Sequence, residues 1–405
     1  MKRSLFERCL CAVGVALFLA SPAEAKDRTP EPKGIVTNGF ILHPGADLSI
    51  GVDSYEADNV GASVDGLIDV GVHFKTRLEN EENYSWDNKL SFNWRQYWGL
   101  GLLGSTDGGA SVSVSTSADL FKKSMFKLSP EASYHYSASA EDANLNSIPD
   151  NHTITVGTYG SIQPGGGSVF YERLGYHFSD TIYPDDPTLT HMEHRIESRT
   201  QWNFLPQTHM ALDVDFRIIH FTESERETSY IYDDSTRMNP FGLPLRLKYS
   251  LGGLFTTRLS YDIAAGYTYI YYVPNKPVHS WLLSAKVRYD FTNNIGLQAG
   301  YKHDYETATF GDYYLFHKAE IGFDALFFDR LQTELKFAYA YNTYTVGDDN
   351  NARNDHFLTA DLNLYYSFLS GLRLGVNYKL RADIADMVDC SYLRNSAYLT
   401  LSYEY

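Results

Sequence analysis

Apolar and polar residues alternate along most of the chain, and the alternation is clearest in its C-terminal half. Within 255–271 the odd positions are nearly all apolar or aromatic, whereas the even positions include Arg258 and Asp262. The runs 281–291 and 295–304 repeat the pattern. Successive side chains of a strand point to opposite faces. Each run therefore predicts a strand with one apolar face and one polar face.

These runs are too long for an ordinary soluble sheet. They continue for about nine residues or more, whereas soluble strands usually have about 5–6 residues and a tilted membrane strand has about 9–11. An apolar spacing of two, instead of three to four, argues against amphipathic helices. Because an open sheet edge leaves backbone groups unpaired in hydrocarbon, a membrane sheet must close. The pattern predicts a transmembrane β-barrel.

Short and long polar links alternate between the runs, as expected for periplasmic turns and outer loops. The short links are 121–123, 163–167, 204–207, 251–253, 292–294, 328–330 and 368–371, and the long links are 139–151, 180–190, 222–240, 273–278, 306–312, 346–355 and 383–389. They predict an all-β, antiparallel, up-and-down barrel over 39–405 with about 18 strands, or alternatively 16. Residues 62–98 fit two strands or parts of three.

Residues 1–25 have the features of a signal peptide. A positive start ending at Arg8 precedes an apolar stretch over 9–20, and Ala23 and Ala25 provide small residues for cleavage after Ala25. Twelve apolar residues are too few to span a core of about 30 Å. Residues 26–38, rich in proline and charge, predict a periplasmic tail. We therefore expect an exported protein in the outer membrane of a Gram-negative-type bacterium.

Composition supports a barrel and argues against a nucleic-acid partner. The chain contains 32 tyrosines and only 5 tryptophans, with 15% aromatic residues in total. Barrels use such side chains as girdles at the two water–lipid boundaries. The formal net charge of −16 is opposite to that of proteins that bind nucleic acid.

The last residues of the chain alternate in the same way. Leu399, Leu401, Tyr403 and Tyr405 share one face. Because a terminal aromatic residue after alternate apolar residues resembles the insertion signal of outer-membrane barrels, we expect membrane lipid and the barrel assembly machinery as partners.

Two segments resemble a known family. Residues 42–50 (LHPGADLSI), which lead to Asp58 and Asn59, are similar to the first strand of the beta-barrel porin 2 family, and 392–395 with 398–405 are similar to its last strand. The resemblance implies an outer-membrane barrel over 39–405. For members that resemble exopolysaccharide export barrels, it also implies a periplasmic polysaccharide export apparatus as a partner.

Charged residues on the expected inner face are candidates to line a pore. They are Glu193, Arg195, Glu197, Arg199, Asp213, Asp215, Arg217, Arg258, Lys286, Arg288, Lys302, Lys336, Arg373, Lys379 and Arg381. Mixed charges that face a lumen can orient polar solutes. The alternative is a ladder of cross-strand ion pairs that fills or stiffens the barrel.

Three functions remain open: a pore for hydrophilic solutes or an exported polysaccharide, an outer-membrane enzyme, and a closed structural or adhesive barrel. No Gly-x-Ser-x-Gly element occurs, so no catalytic residue is assigned. His191 and His194 are three apart on a strand, and opposite faces cannot easily share a metal ion. The glycine-rich 163–168 lacks the Lys-Ser/Thr of a phosphate loop. We expect a pore without metal or cofactor.

Overall fold

The computed structural model describes most of the chain from residue 34 onward. The described residues are 34–37, 40–57, 61–80, 83–99, 109–138, 140–141, 147–148, 150–164, 169–185, 187–205, 207–222, 226–227, 237–238, 241–273, 277–306, 313–346, 349–369, 371–385 and 391–405. The predicted signal peptide, its cleavage site after Ala25 and most of the predicted tail lie outside them.

Eighteen long strands form one antiparallel sheet that closes on itself. They are β1 Phe40–Ala57, β2 Gly61–Asn80, β3 Tyr84–Gly99, β4 Gly109–Leu120, β5 Phe126–Ser137, β6 Asn151–Ile162, β7 Phe170–Ile182, β8 His191–Leu205, β9 Thr208–Phe221, β10 Phe241–Leu254, β11 Leu259–Val273, β12 Val278–Thr292, β13 Ile295–Glu306, β14 Tyr313–Phe327, β15 Leu331–Val346, β16 Asp349–Leu369, β17 Leu372–Ala385 and β18 Tyr392–Glu404.

Each strand pairs with its neighbours in the chain, and β1 also pairs with β18. This last register runs from Gly45 opposite Glu404 to Ala57 opposite Tyr392. The pairing removes both free edges, as a membrane sheet requires. The prediction of an 18-strand transmembrane barrel is confirmed, and residues 62–98 form two strands. Among the described residues, no helix is both long enough and apolar enough to cross a membrane.

Two predicted links differ from the structure. The short turn expected at 251–253 lies instead at 255–258, because β10 continues to pair with β9 through Gly253. Gly253 has a φ of +155°, and a Cβ atom there would overlap the Gln207 carbonyl. A glycine pair that looks like a turn in the sequence therefore allows the strand to pass close to its neighbour.

The second difference is the long link expected at 346–355. Here β15 and β16 continue as a hairpin up to the pairing of Val346 with Asp349. The hydroxyls of Tyr341 and Thr343 both donate to Oδ1 of Asn354, at 3.0 and 3.1 Å. These side-chain bonds hold a polar segment in the extended conformation, which polarity alone does not reveal.

Short elements decorate the barrel. Ile35–Thr37, within the predicted tail, pairs with the start of β1 at Phe40 to Leu42. Three long links carry small elements, which are the ribbon of Ala140–Glu141 with Ser147–Ile148, the 3-10 helix Pro187–Leu189, and the ribbon of Arg226–Glu227 with Arg237–Met238. The short turns and the long links therefore lie at opposite ends of the barrel.

Candidate functional site

The two faces of the barrel differ sharply in charge. Within the eighteen barrel strands, every Lys and Arg whose side chain the structure describes occupies a position that points to the lumen. The alternate positions carry the exposed large apolar side chains, including Ile50, Leu174 and Val376. All five tryptophans of the chain also lie on this outer face and are between 40% and 53% exposed. An apolar outside and a charged inside are the arrangement that a membrane barrel with a polar interior requires.

The lumen face of β7 to β10 is the most charged part of the predicted site. We call its six cationic side chains the basic wall; they are Arg173, Arg195, Arg199, Arg217, Arg246 and Lys248. Four carboxylates lie among them, namely Glu193, Glu197, Asp213 and Asp215. Cations therefore outnumber these carboxylates by two.

Most of these charges are paired across strands. The Arg195 guanidinium donates to both Asp215 oxygens at 3.1 and 3.0 Å, and Arg217 donates to the same carboxylate at 3.3 and 3.1 Å. Glu197 lies 3.0 Å from Arg195 and 3.3 Å from Arg173. The ladder of cross-strand ion pairs, which was the alternative to a pore lining in the sequence analysis, is present. Its arginines also face the lumen.

The basic wall extends toward β13. Asp213 receives a hydrogen bond from Arg199 at 3.1 Å and lies 3.3 Å from the Lys248 ammonium. Arg246 lies 3.6 Å from Asp304 and donates to the Tyr305 carbonyl. A recess of about 390 Å³ runs along these side chains. The wall can therefore offer several guanidinium groups to a polar solute at one place.

The remaining predicted pore residues lie mainly on β12 to β17. Lys286, Arg288, Lys302, Lys336, Arg373, Lys379 and Arg381 occupy lumen positions. Several are paired: Arg288 donates to Asp324 at 2.6 and 2.8 Å, and Arg381 donates to Asp361 at 3.0 Å. A second recess of about 860 Å³ is lined by Lys336, Lys379 and Arg381 together with three carboxylates.

Arg258 differs from the other predicted pore residues. It lies in the turn 255–258 and is exposed, and its guanidinium donates to the Phe291 carbonyl at 3.1 Å. The strand begins one residue later, at Leu259. The odd–even pattern continued through the turn in the sequence and therefore placed Arg258 on the lumen face, whereas the structure places it at the rim.

Sequence reasoning missed the ion pair at the junction of β1 and β18. Asp53 accepts hydrogen bonds from the Arg394 guanidinium at 2.5–3.0 Å and one from Ser396 at 3.0 Å. Arg394 also donates to the Tyr97 hydroxyl at 3.2 Å. The side chains of Asp53 and Arg394 are only 6% and 14% exposed. Arg394 was visible in the sequence only as part of the segment Tyr392 to Asn395, which carried the family resemblance.

A Ser–His contact among the described residues bears on the enzyme alternative. Ser280 Oγ lies 3.5 Å from Nε2 of His303, at the loop-rich end of β12 and β13. Nδ1 of His303 is buried and has no hydrogen-bond partner among the described residues. Since a catalytic histidine needs a group that orients its other nitrogen, this contact is not a triad.

The histidines that suggested a metal site point apart. His191 packs on Phe221 at the lumen side, whereas Nδ1 of His194 lies 2.8 Å from the Tyr176 hydroxyl on the outer face. Within the described part of the chain, no group of three or more His, Cys, Asp and Glu side chains could hold a metal ion.

The residues of the predicted insertion signal share the outer face of β18. Leu399, Leu401, Tyr403 and Tyr405 are all exposed there. The Tyr405 amide donates to the Pro44 carbonyl at 3.0 Å. Their recognition by an assembly machinery stays a prediction.

Comparison with known proteins supports the fold and leaves the family open. A protein family of unknown function, DUF481, matches residues 255–381. No curated protein matches the chain. The structure of OccAB4 from Acinetobacter baumannii is similar at 10% identity and a TM-score of 0.50, covering 90% of this chain and 98% of that one.

OpdQ from Pseudomonas aeruginosa is similar at 9% identity and a TM-score of 0.50, covering 91% of this chain and 99% of that one. The siderophore receptor PirA from Pseudomonas aeruginosa is similar at 10% identity and a TM-score of 0.47, with 94% of this chain and 81% of that one covered. The likenesses to OccAB4 and OpdQ support the fold of an outer-membrane β-barrel. The resemblance to the beta-barrel porin 2 family is not confirmed.

Proposed function

We propose that the protein is an outer-membrane pore for small hydrophilic solutes. The observation that carries the proposal is the confinement of every described Lys and Arg side chain of the eighteen barrel strands to lumen positions. Charged side chains inside a barrel need water around them, since an unsolvated charge is costly to bury. Barrels of 16–18 strands are wide enough to leave an aqueous channel.

The basic wall gives this pore a path for anionic groups. Arg195, Arg199 and Arg217 lie on adjacent strands and face the same recess. Rings and rows of fixed charge set ion preference in pores. A solute that carries a carboxylate or phosphate can replace one of the wall's own carboxylates at each guanidinium in turn. It can thus move along the row while every guanidinium keeps an anionic partner.

The test is conductance of the purified, folded barrel in a planar lipid bilayer. We expect discrete current steps in potassium chloride and a reversal potential that depends on salt gradient. As a matched control, the barrel unfolded in urea before dilution should give no steps. If the folded barrel gives no conductance under any condition, the open pore is wrong, and a plugged or closed barrel becomes the better account.

An exported polysaccharide is the second candidate solute. Tyr97, Tyr159, Tyr365 and Tyr398 occupy lumen positions, and tyrosine rings offer both a flat apolar face and a hydrogen-bonding hydroxyl. Such surfaces suit sugar rings. If this candidate is right, neutral oligosaccharides should interrupt single-channel current, and the Tyr365→Ala variant should shorten the interruptions. Equal interruption by both proteins would argue against it.

A further inference from the structure

Four hairpins carry the same hydrogen bond on the outer face of the barrel. In each one, a tyrosine hydroxyl on the first strand of the hairpin lies 2.7–2.9 Å from Nδ1 of a histidine on the second strand, toward the end of the barrel opposite the short turns. The pairs are Tyr134 with His152, Tyr176 with His194, Tyr301 with His317, and Tyr339 with His356.

The four pairs also share one register. Tyr301 lies opposite Ala319 and reaches His317, and Tyr339 lies opposite Leu358 and reaches His356. Each histidine is therefore two residues nearer the link of its hairpin than the direct partner of its tyrosine, which is a diagonal that long side chains can span. In the next hairpin the Tyr378 hydroxyl donates to Oδ1 of Asn395 at 2.8 Å with the same offset.

The hydrogen bond engages Nδ1 of each ring, and the tautomer of the ring decides whether the tyrosine hydroxyl donates or accepts. When the tyrosine hydroxyl donates to Nδ1, the imidazole proton must be on Nε2. In either case Nε2 is the nitrogen that the tyrosine does not use, and it carries a proton in the imidazolium form.

The pairs lie near the loop-side boundary of the apolar band. Eight residues separate His194 from Trp202 along β8, and ten separate His356 from Tyr366 along β16. At about 3.3 Å per residue and a tilt of roughly 35–45°, this is about 20–25 Å of height, close to the apolar band of such barrels. The histidines therefore lie at the level of lipid headgroups on the loop side.

The neighbours of the four pairs differ in charge. On β6 to β8, Asp180 occupies the outer position diagonal to both His152 and His194, and Tyr136, which stacks on His152, donates to Asp150 at 3.3 Å. These carboxylates would compete with an anionic ligand.

On β13 to β16 the facing groups are different. They are Tyr301, His303, Tyr339, Tyr341 and Asn354. Among the described outward positions of these four strands there is no carboxylate, Lys or Arg.

The rings of β12 to β16 form a continuous row. Ring centres are 3.9 Å apart for Trp281 and His303, 4.3 Å for His303 and His317, 6.3 Å for His317 and Tyr341, and 5.0 Å for Tyr341 and His356. Two oriented imidazoles thus flank one tyrosine at headgroup level, and a tryptophan lies at the end of the row.

We propose that His317 and His356 bind the phosphate of an anionic lipid headgroup on the outer face of the barrel, and that they bind it more tightly as pH falls. A protonated ring donates through Nε2–H, and its charge faces no carboxylate among the described outward positions of these strands. The site is independent of the pore, since it uses the opposite face of the wall.

The test uses Trp281 as a local reporter, in a protein whose other four tryptophans are replaced by Phe. The barrel is placed in vesicles of phosphatidylcholine and phosphatidylglycerol, and quenching by brominated forms of each lipid gives their relative affinity. We expect the preference for phosphatidylglycerol to rise by about two- to fivefold between about pH 7.5 and pH 5.5, across the range where histidine titrates. No rise would overturn the proposal.

The double variant His317→Asn with His356→Asn should lose the pH dependence while it keeps an acceptor for each tyrosine, as Asn395 does for Tyr378. The matched control is His152→Asn with His194→Asn, which alters the far pairs and should leave the Trp281 signal unchanged. If the first variant lowers thermal stability but keeps the wild-type pH response, the pairs serve only to join strands and the lipid site is wrong.

Discussion

The lumen has two walls of opposite character. On β7 to β10 the six cations of the basic wall face four carboxylates. On β18, β1 and β2 the balance is reversed, because six carboxylates face three cations. The carboxylates of this acidic wall are Asp47, Asp53, Asp65, Asp69, Glu79 and Glu404, and its cations are Lys75, Arg77 and Arg394. Since eight strands lie between β9 and β18 in either direction, the walls face each other across the barrel.

The two walls also hold their charges differently. The basic wall spreads its pairs over partly exposed side chains, so that Arg195 and Arg217 share Asp215. The acidic wall includes one pair that is nearly buried, Asp53 with Arg394, at the strand junction that closes the barrel. We infer that the two walls have different roles. The partly exposed pairs of the basic wall set the environment of a solute, and the nearly buried pair of the acidic wall holds the barrel closed.

The largest expected effect comes from breaking the buried pair. Arg394→Leu leaves the Asp53 carboxylate without its guanidinium, and removal of one partner of a buried pair typically costs about 3–5 kcal/mol. We expect a loss of this size in the free energy of unfolding, measured by urea titration of the folded barrel in detergent micelles.

The control for this prediction is Arg95→Leu. Arg95 pairs with Asp69 at 2.8 Å, but the two side chains are 47% and 24% exposed. An exposed pair contributes about 0–1 kcal/mol. If both variants lose the same small amount, the junction pair does not hold the barrel closed and the distinction between the walls fails.

The next effect is on ion selectivity. Replacing Arg195, Arg199 and Arg217 by Glu changes the basic wall by six charge units, and we expect bilayer currents to shift toward cations. The shift should weaken in 1 M salt, where the Debye length is about 3 Å. Leu259→Ala and Val287→Ala, on the outer face, are the controls that should keep wild-type selectivity. An unchanged reversal potential in the triple variant would mean that ions do not pass along this wall.

Much of this comparison was accessible from the sequence. Alternation placed Arg195, Glu197 and Asp215 on the lumen face, because it depends only on the period of a strand. The number of strands followed from the alternation of short and long links. This alternation can still be recognised when the predicted end of each link is wrong by a few residues.

The junction pair was not accessible. Asp53 and Arg394 are 341 residues apart, and alternation assigns a face without assigning a register. Pairing across the closure depends on how far β1 and β18 slide past each other, and no link joins these two strands to fix that offset. Arg258 was placed on the lumen face for a related reason. The alternation of apolar and polar residues continues through the turn 255–258, whereas the strand does not.

The smallest expected effect comes from the acidic wall. Asp47→Asn with Asp65→Asn removes two charge units without touching the Asp53–Arg394 pair. We expect bilayer currents to shift toward anions, in the opposite direction to the arginine variant and by a smaller amount, because two units change instead of six. The measurement is the reversal potential in a potassium chloride gradient at low salt, where exposed charges are least screened. Glu172→Gln, on the outer face where Ser198 and Thr200 donate to the carboxylate, is the control that removes a charge outside the lumen. If it shifts the current as much as the Asp variant does, the effect reflects the overall charge of the protein, and the opposition of the two walls has no part in selectivity.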